Sequence, residues 1–232
     1  MDTRPALLTP AFRALSARLG QDPLQIQAAG GNTSVKDDTV MWIKASGMAL
    51  ADAELEAVFV PVGRTAALAE ARGETGDGGC LDAVIDPDCK LRPSIETTFH
   101  AALDHRVVVH THSVATLTHV ISPEGRVAAM DKLAGLAAVR VPYCKPGRPL
   151  TQAIMARTAP DTRVILLENH GLICCGAEVE EVAELICEVE ARLALPPLDQ
   201  RDIAPVEPPP SGFEWAGPEN WLAVDGRARA LV

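Results

Sequence analysis

Arg106-Val107-Val108-Val109-His110-Thr111-His112 is a valine run that ends in two histidines. Branched apolar residues packed this closely predict a buried strand. On its N-terminal side, Ser94 can cap a helix running to about Asp104. On its C-terminal side, Ser113 to Val120 has helical composition. The alternation continues outward in both directions. Val40-Met41-Trp42-Ile43-Lys44 reads as a strand. Val58 to Val62 is a second apolar run, and an Ala-rich helix follows from Arg64 to Arg72. Val139-Arg140-Val141-Pro142 is a short extended piece before a helix from Pro149 to Thr158. Arg163 to Leu167 and Leu172 to Cys175 read as strands around the turn Glu168-Asn169-His170-Gly171. Glu178 to Leu195 is the longest helical pattern, with Val182, Leu185, Ile186 and Val189 at core spacing. Near the N-terminus, Thr9 and Pro10 form a cap and a first-turn proline. Phe12, Leu15 and Leu19 share the face of that helix, and Gly20 can end it. Interleaved strands and helices predict one α/β domain over residues 1–195.

Residues 196–232 read differently. Pro208-Pro209-Pro210 precedes Trp215 and Trp221, without helical or strand periodicity. This stretch is expected to be a tail whose tryptophans pack on something, such as a neighbouring subunit. Gly73 to Cys80 holds four glycines in eight residues and predicts a mobile loop. No Lys-Ser/Thr follows those glycines, so the loop fails the phosphate-cradle pattern.

The 232 residues are 47% hydrophobic, enough to bury a real core. With 21 Lys+Arg against 31 Asp+Glu the formal charge is −10. Nucleic acid and anionic membrane surfaces both call for positive fields, so neither is an expected partner. Aromatics make up 3% of the chain and Tyr143 is its one tyrosine, too few for a base-stacking platform. No apolar run approaches the roughly 18–20 residues of a membrane span. Residues 1–18 lack a continuous apolar segment, so a secretory signal is not expected. The six cysteines form no CxxC pair, and the expectation is free thiols in a reducing cytosol.

Four of the six histidines fall within thirteen residues: His100, His105, His110 and His112. Strand side chains alternate faces, so His110 and His112 point the same way. Two such imidazoles can share one late first-row divalent ion, or can simply be exposed at a strand end. His170 sits in a tight turn at the end of an apolar strand, where it can face a cleft or bond to backbone. Three imidazoles on one ion leave positions open for water or substrate, which marks a catalytic site. His100, His105 and His119 read as surface or packing residues. Glu96 falls in the first turn of the helix after Ser94, where the helix dipole favours a carboxylate. Gly30-Gly31-Asn32-Thr33-Ser34 and Ser46-Gly47 are small-residue turns, either plain connections or sites whose N–H groups converge on an anion.

Taken in order, Gly30-Gly31-Asn32-Thr33-Ser34, Lys44-Ala45-Ser46-Gly47, Pro93-Ser94-Ile95-Glu96, His110-Thr111-His112 and Asn169-His170-Gly171 resemble the motifs of the class II aldolase/adducin family. The wording is most similar to the aldolase half of fused aldolase/short-chain-dehydrogenase proteins. No strand–GxGxxG–helix of a dehydrogenase half is found in this sequence. The resemblance implies a three-layer α/β/α fold with a central, mainly antiparallel sheet, and a cytosolic homotetramer with sites between subunits. It implies that His110, His112 and His170 bind Zn²⁺, or Mn²⁺ or Co²⁺. It makes Glu96 the acid/base, and Asn32, Ser46, Gly47 and Ser94 the holders of the substrate's phosphate or terminal polar group. Family aldolases often use a tyrosine from a neighbouring subunit as second acid, and the resemblance implies that role for Tyr143, the one tyrosine. Ile95 departs from the family, standing where sugar-phosphate aldolases often carry a second phosphate-binding serine.

The implied activity is metal-dependent cleavage of a C–C bond in a small hydroxylated ketose phosphate or related sugar acid, through a metal-stabilised enediolate. A sugar-phosphate 4-epimerase, decarboxylase or dehydratase would use the same residues. A non-catalytic, adducin-like assembly module would instead have lost its histidine ligands, and all three are present.

Overall fold

The computed structural model describes residues 3–196 and the backbone of two later strands. By contacts the chain divides into two compact units, Met1–Ala194 and Leu195–Val232. The first unit holds a seven-stranded sheet. Its strands are β1 (Asn32–Lys36), β2 (Val40–Lys44), β3 (Phe59–Gly63), β4 (Val107–Thr111), β5 (Ala138–Val141), β6 (Val164–Leu167) and β7 (Gly171–Gly176). They lie in the order β3-β2-β1-β4-β7-β6-β5. Every pairing is antiparallel except β5 with β6.

Alternation along the strands builds three layers. On β4, Val107 and Val109 face one core while Val108 faces another. On β6, Val164 and Leu166 separate in the same way from Ile165 and Leu167. Helices α1 (Pro10–Gln21), α4 (Val114–Val120), α5 (Pro123–Lys132) and α7 (Val179–Leu193) cover the first face. Helices α2 (Arg64–Arg72), α3 (Thr97–Ala102) and α6 (Arg148–Met155) cover the other. The fold is therefore the α/β/α sandwich with a mainly antiparallel sheet that the resemblance implied.

Local chemistry sets the helix starts. The hydroxyls of Thr9, Ser113 and Ser122 each accept a backbone N–H in the first turn of α1, α4 and α5. A reciprocal capping box between Glu178 and Glu181 starts α7. Several expectations need correction. The first helix continues through Gly20 to Gln21. The helix expected from Ser94 is shorter, because Ser94 turns its hydroxyl onto the Glu96 N–H and α3 begins only at Thr97. Helix α5 has no counterpart in the sequence reading, since its residues carry almost no apolar stripe and only Ala129 is buried.

The largest correction is β1. Asn32-Thr33-Ser34 is the start of a central strand rather than part of a turn, and all five residues of β1 are buried. Its polar side chains find partners instead of water. Ser16 and Thr33 share a hydrogen bond of 2.7 Å, and Lys36 Nζ donates to the His100 carbonyl at 2.7 Å. The glycine-rich loop is anchored as well: Gly78 and Cys80 both donate their N–H to Glu70 Oε2. All six cysteines are free. No described helix is long and apolar enough to cross a membrane.

In the second unit, β8 (Phe213–Gly217) and β9 (Asn220–Ala223) pair antiparallel with Trp215 opposite Trp221. No strand is expected here from the sequence; the register of the pair shifts between Trp215 and Gly217. Pro208-Pro209-Pro210 and the packing expected of the two tryptophan side chains lie outside the described residues.

Candidate metal centre

Strand β4 carries His110 into the end of the sheet, opposite Asn32 on β1 and Ile173 on β7. His112 lies just past the strand, where its N–H donates to the Gln25 carbonyl at 2.9 Å. His170 comes from the tight turn between β6 and β7. The ring centroids stand 5.1 Å apart for His110–His112, 4.9 Å for His110–His170 and 5.5 Å for His112–His170. One ring nitrogen from each lies within 4.8 Å of the other two. Two glycines make this approach feasible. A Cβ on Gly171 would meet the Thr111 carbonyl oxygen at 2.3 Å, and one on Gly30 would meet His112 Nδ1 at 2.8 Å.

The donor set fits a divalent ion. His110 is fully buried, and its Nδ1–H donates to the Leu172 carbonyl at 2.9 Å. That bond fixes the tautomer and leaves Nε2 as a lone pair aimed into the site. His110 Nε2 has no hydrogen-bond partner, nor do Glu96 Oε1 and His170 Nδ1. Orphaned buried polar atoms are costly, and several at one spot signal a missing ligand. Burial, with the neighbouring His112, pushes the His110 pKa down to about 3. His112 and His170 are also lowered, chiefly by burial. Neutral imidazole is the ligand form.

Glu96 sits at the N-cap position of α3 but caps nothing. Its carboxylate turns to the histidines instead, with Oε2 3.5 Å from His110 Nε2 and Oε1 3.3 Å from His170 Nε2. Asn32 Nδ2 donates to Glu96 Oε2 at 2.8 Å and to Ser94 Oγ at 3.2 Å. A cavity of about 220 Å³ opens above this group, and Asn32, Ser46, Gly47, Ser94, His112 and His170 all line it. The bridge between Ala45 and Pro93 brings the Ser46-Gly47 turn beside Ser94. The exposed Ile95 is at the same rim. Tyr143 is not among the lining residues. It follows β5 and is 59% exposed.

Two residues here escaped the sequence reading. Lys44 ends β2 and lines the cavity, and its Nζ donates to the carbonyls of Ala29 at 2.7 Å and Gly31 at 3.2 Å. Burial lowers its pKa to about 8 against the pull of Glu96. A lysine closing an otherwise apolar strand was the available signal. His100, read as surface or packing, is fully buried behind Asn32. His119 is also buried, with Nδ1–H donating to the Ala115 carbonyl, and His105 bonds the Thr162 carbonyl.

Residues 14–195 match the family model described as Class II Aldolase and Adducin N-terminal domain. The chain is 32% identical over 178 residues to the uncharacterized oxidoreductase YuxG of Bacillus subtilis, covering 70% of this chain and 25% of that protein. It is 32% identical over 106 residues to L-fuculose phosphate aldolase of Haemophilus influenzae, with 42% of this chain and 49% of that one covered. It is 31% identical over 114 residues to 3-oxo-tetronate 4-phosphate decarboxylase of Escherichia coli, with 43% and 52% covered. The chain thus spans about half the length of these two enzymes, and a quarter of the first relative. Among solved structures, the N-terminal class II aldolase domain of a Thermoplasma acidophilum protein shares the fold. Its TM-score is 0.67 at 23% identity, over 83% of this chain and 93% of that domain.

Proposed function

The chain belongs to the class II aldolase and adducin N-terminal domain family, and from that premise we propose that it is a divalent-metal-dependent carbon–carbon lyase. Its proposed substrate is a small hydroxylated ketose phosphate or related sugar acid. The observation that carries this reading is the convergence of His110, His112 and His170 around orphaned lone pairs, with the Glu96 carboxylate beside them.

His110, His112 and His170 would hold the ion, Zn²⁺ or alternatively Mn²⁺ or Co²⁺. A divalent ion there supplies Lewis acidity that offsets the negative charge developing on substrate oxygens as the bond breaks. The chain's own residues do the rest. Asn32, Ser46, Gly47 and Ser94 bind and orient the substrate's polar terminus through side-chain and backbone donors. Ile95 adds no side-chain donor, which leaves room for a sugar acid as well as a ketose phosphate. Glu96 moves a proton to or from the nucleophilic carbon. Tyr143, exposed on its own protomer, is assigned to a neighbouring subunit's site, where its hydroxyl would serve the aldehyde oxygen. This assignment requires a homo-oligomer, proposed as a tetramer, working in the cytoplasm.

A decarboxylase acting at the same residues is the second reading, favoured by the 31% identity to a tetronate phosphate decarboxylase. One experiment addresses both. Purified protein is assayed for metal, then screened with Zn²⁺, Mn²⁺ or Co²⁺ against ketose phosphates, sugar acid phosphates and keto acids. About one metal per chain, lost in His112→Ala, with aldehyde release, supports the lyase. CO₂ release selects the decarboxylase. Metal content unchanged by His112→Ala overturns both.

A further inference from the structure

Behind the metal centre, four buried side chains form a hydrogen-bonded row. Ser34 Oγ lies 2.7 Å from His100 Nδ1, His100 Nε2 meets Asn32 Oδ1, and Asn32 Nδ2 reaches Glu96 Oε2 at 2.8 Å. Ser34 and His100 are fully buried, and Asn32 and Glu96 nearly so. Glu96 and His100 are four residues apart around α3, which places both on the side of the helix that faces β1.

A carboxamide is nearly symmetric in shape, so its neighbours decide which end faces which way. The carboxylate oxygen of Glu96 needs a donor, and only the NH₂ end of Asn32 supplies one. The Asn32 oxygen must then point the other way and accept from His100 Nε2–H. With the proton on Nε2, His100 Nδ1 is an acceptor, and the Ser34 hydroxyl is there to donate to it. The opposite tautomer would turn the Asn32 oxygen onto Glu96 Oε2, setting two acceptors against each other. The row therefore has one favourable direction, from Ser34 to Glu96.

Lys36 reinforces it from below. Its Nζ donates to the backbone carbonyl of His100 at 2.7 Å. Burial, followed by Lys36 and His110, holds the His100 pKa well below its usual value. The ring stays neutral, with one donor and one acceptor nitrogen.

We propose that His100 is a positioning residue: its Nε2–H fixes the Asn32 carboxamide, so that Glu96 is anchored through Oε2 and presents Oε1 to the histidine triad. Of the two carboxylate oxygens, Oε2 takes the Asn32 bond and Oε1 has no hydrogen-bond partner. His100 touches neither the cavity nor the three metal-site histidines through a hydrogen bond. Its influence travels through Asn32. The inference rests on the assignment of Glu96 as acid/base.

The test has a spectroscopic arm and a kinetic arm, both on the full chain. Nitrogen-15 NMR of the histidine rings, in metal-free and metal-loaded protein, should show His100 as the Nε2–H tautomer. An Nδ1–H tautomer overturns the proposal, whether or not any substrate is ever turned over. This separates its failure from failure of the lyase reading, which would appear as wild-type protein inactive on every substrate. In the kinetic arm, His100→Leu should keep about one metal per chain while kcat falls by ~100-fold, a larger change than the rise in KM expected from the loosened Asn32. His100→Gln places an amide donor near the lost Nε2–H and should recover most of that loss. Wild-type kcat in His100→Leu overturns the proposal, as does a His100→Gln variant no better than His100→Leu. If His100→Leu does not fold, Ser34→Ala replaces it. Removing that hydroxyl should mix the two tautomer signals and lower kcat, and no change in either overturns the proposal.

Discussion

Glu96 Oε1 stands 3.3 Å from His170 Nε2, yet Oε1 has no hydrogen-bond partner among the described residues. The pair comes from opposite sides of the site, with Glu96 ahead of α3 and His170 between β6 and β7. Both residues line the cavity beside His112. The expected consequences divide the work among the residues around that cavity.

Glu96→Gln should keep the metal, because the three imidazoles are untouched and Asn32 can still donate to the amide oxygen. It should lose the exchange of a substrate C–H proton with deuterated solvent by more than ~100-fold, the range of a lost general base. Proton NMR in D₂O measures this directly. Exchange at the wild-type rate would remove Glu96 from the proton transfer.

Tyr143→Phe should divide the reaction differently. C–H exchange, the step proposed for Glu96, should continue, while C–C cleavage falls by ~10-fold or more. Metal content should not change. Equal loss of both steps, or of neither, would contradict the role given to the Tyr143 hydroxyl.

Gly171→Ala should damage the centre without touching a ligand. The new methyl would sit 2.3 Å from the Thr111 carbonyl oxygen and 3.3 Å from His112 Cα. Relief requires β7 to withdraw from the end of β4, at a cost of about 1–3 kcal/mol. Thermal unfolding should show the loss, and titration with Zn²⁺ should show weaker binding. Wild-type values in both would mean that the close approach is not needed.

Lys36 makes stability depend on pH. Its folded pKa is lowered to about 7, by burial first and then by Arg64, against 10.5 for an ordinary lysine. Between those values the unfolded chain binds the extra proton, so stability rises with pH through that window. The cost of burying the ammonium is full below pH 7 and gone above about 10.5. Lys36→Met removes this dependence. Urea unfolding at pH 7, 8 and 9 should show wild type gaining on the variant by up to about 1.4 kcal/mol per pH unit. Parallel curves would show that Lys36 keeps an ordinary pKa in the fold.

Much of this architecture is written locally. The valine run of β4 places His110 where it stands, and the cap at Thr9 starts its helix where the hydroxyl predicts. The apolar runs of β2 and β6 read as buried strands because they are short and rich in branched side chains. The motifs in order point to the family because each is a run of a few adjacent residues, although Asn32-Thr33-Ser34 proved to be strand and not turn.

Strand β1 and the role of His100 could not be read in that way. Asn32, Thr33, Ser34 and Lys36 are polar, and alone they favour a turn. They form a buried central strand because β2 and β4 take up their backbone groups, while Ser16 and His100 take up side chains. His100 meets Asn32 across 68 residues of chain. By itself, then, the sequence determined which segments bury apolar faces and which residues can ligate. Tertiary structure alone decided which polar groups leave water together, because a buried hydrogen bond is worth keeping only when its distant partner is already in place.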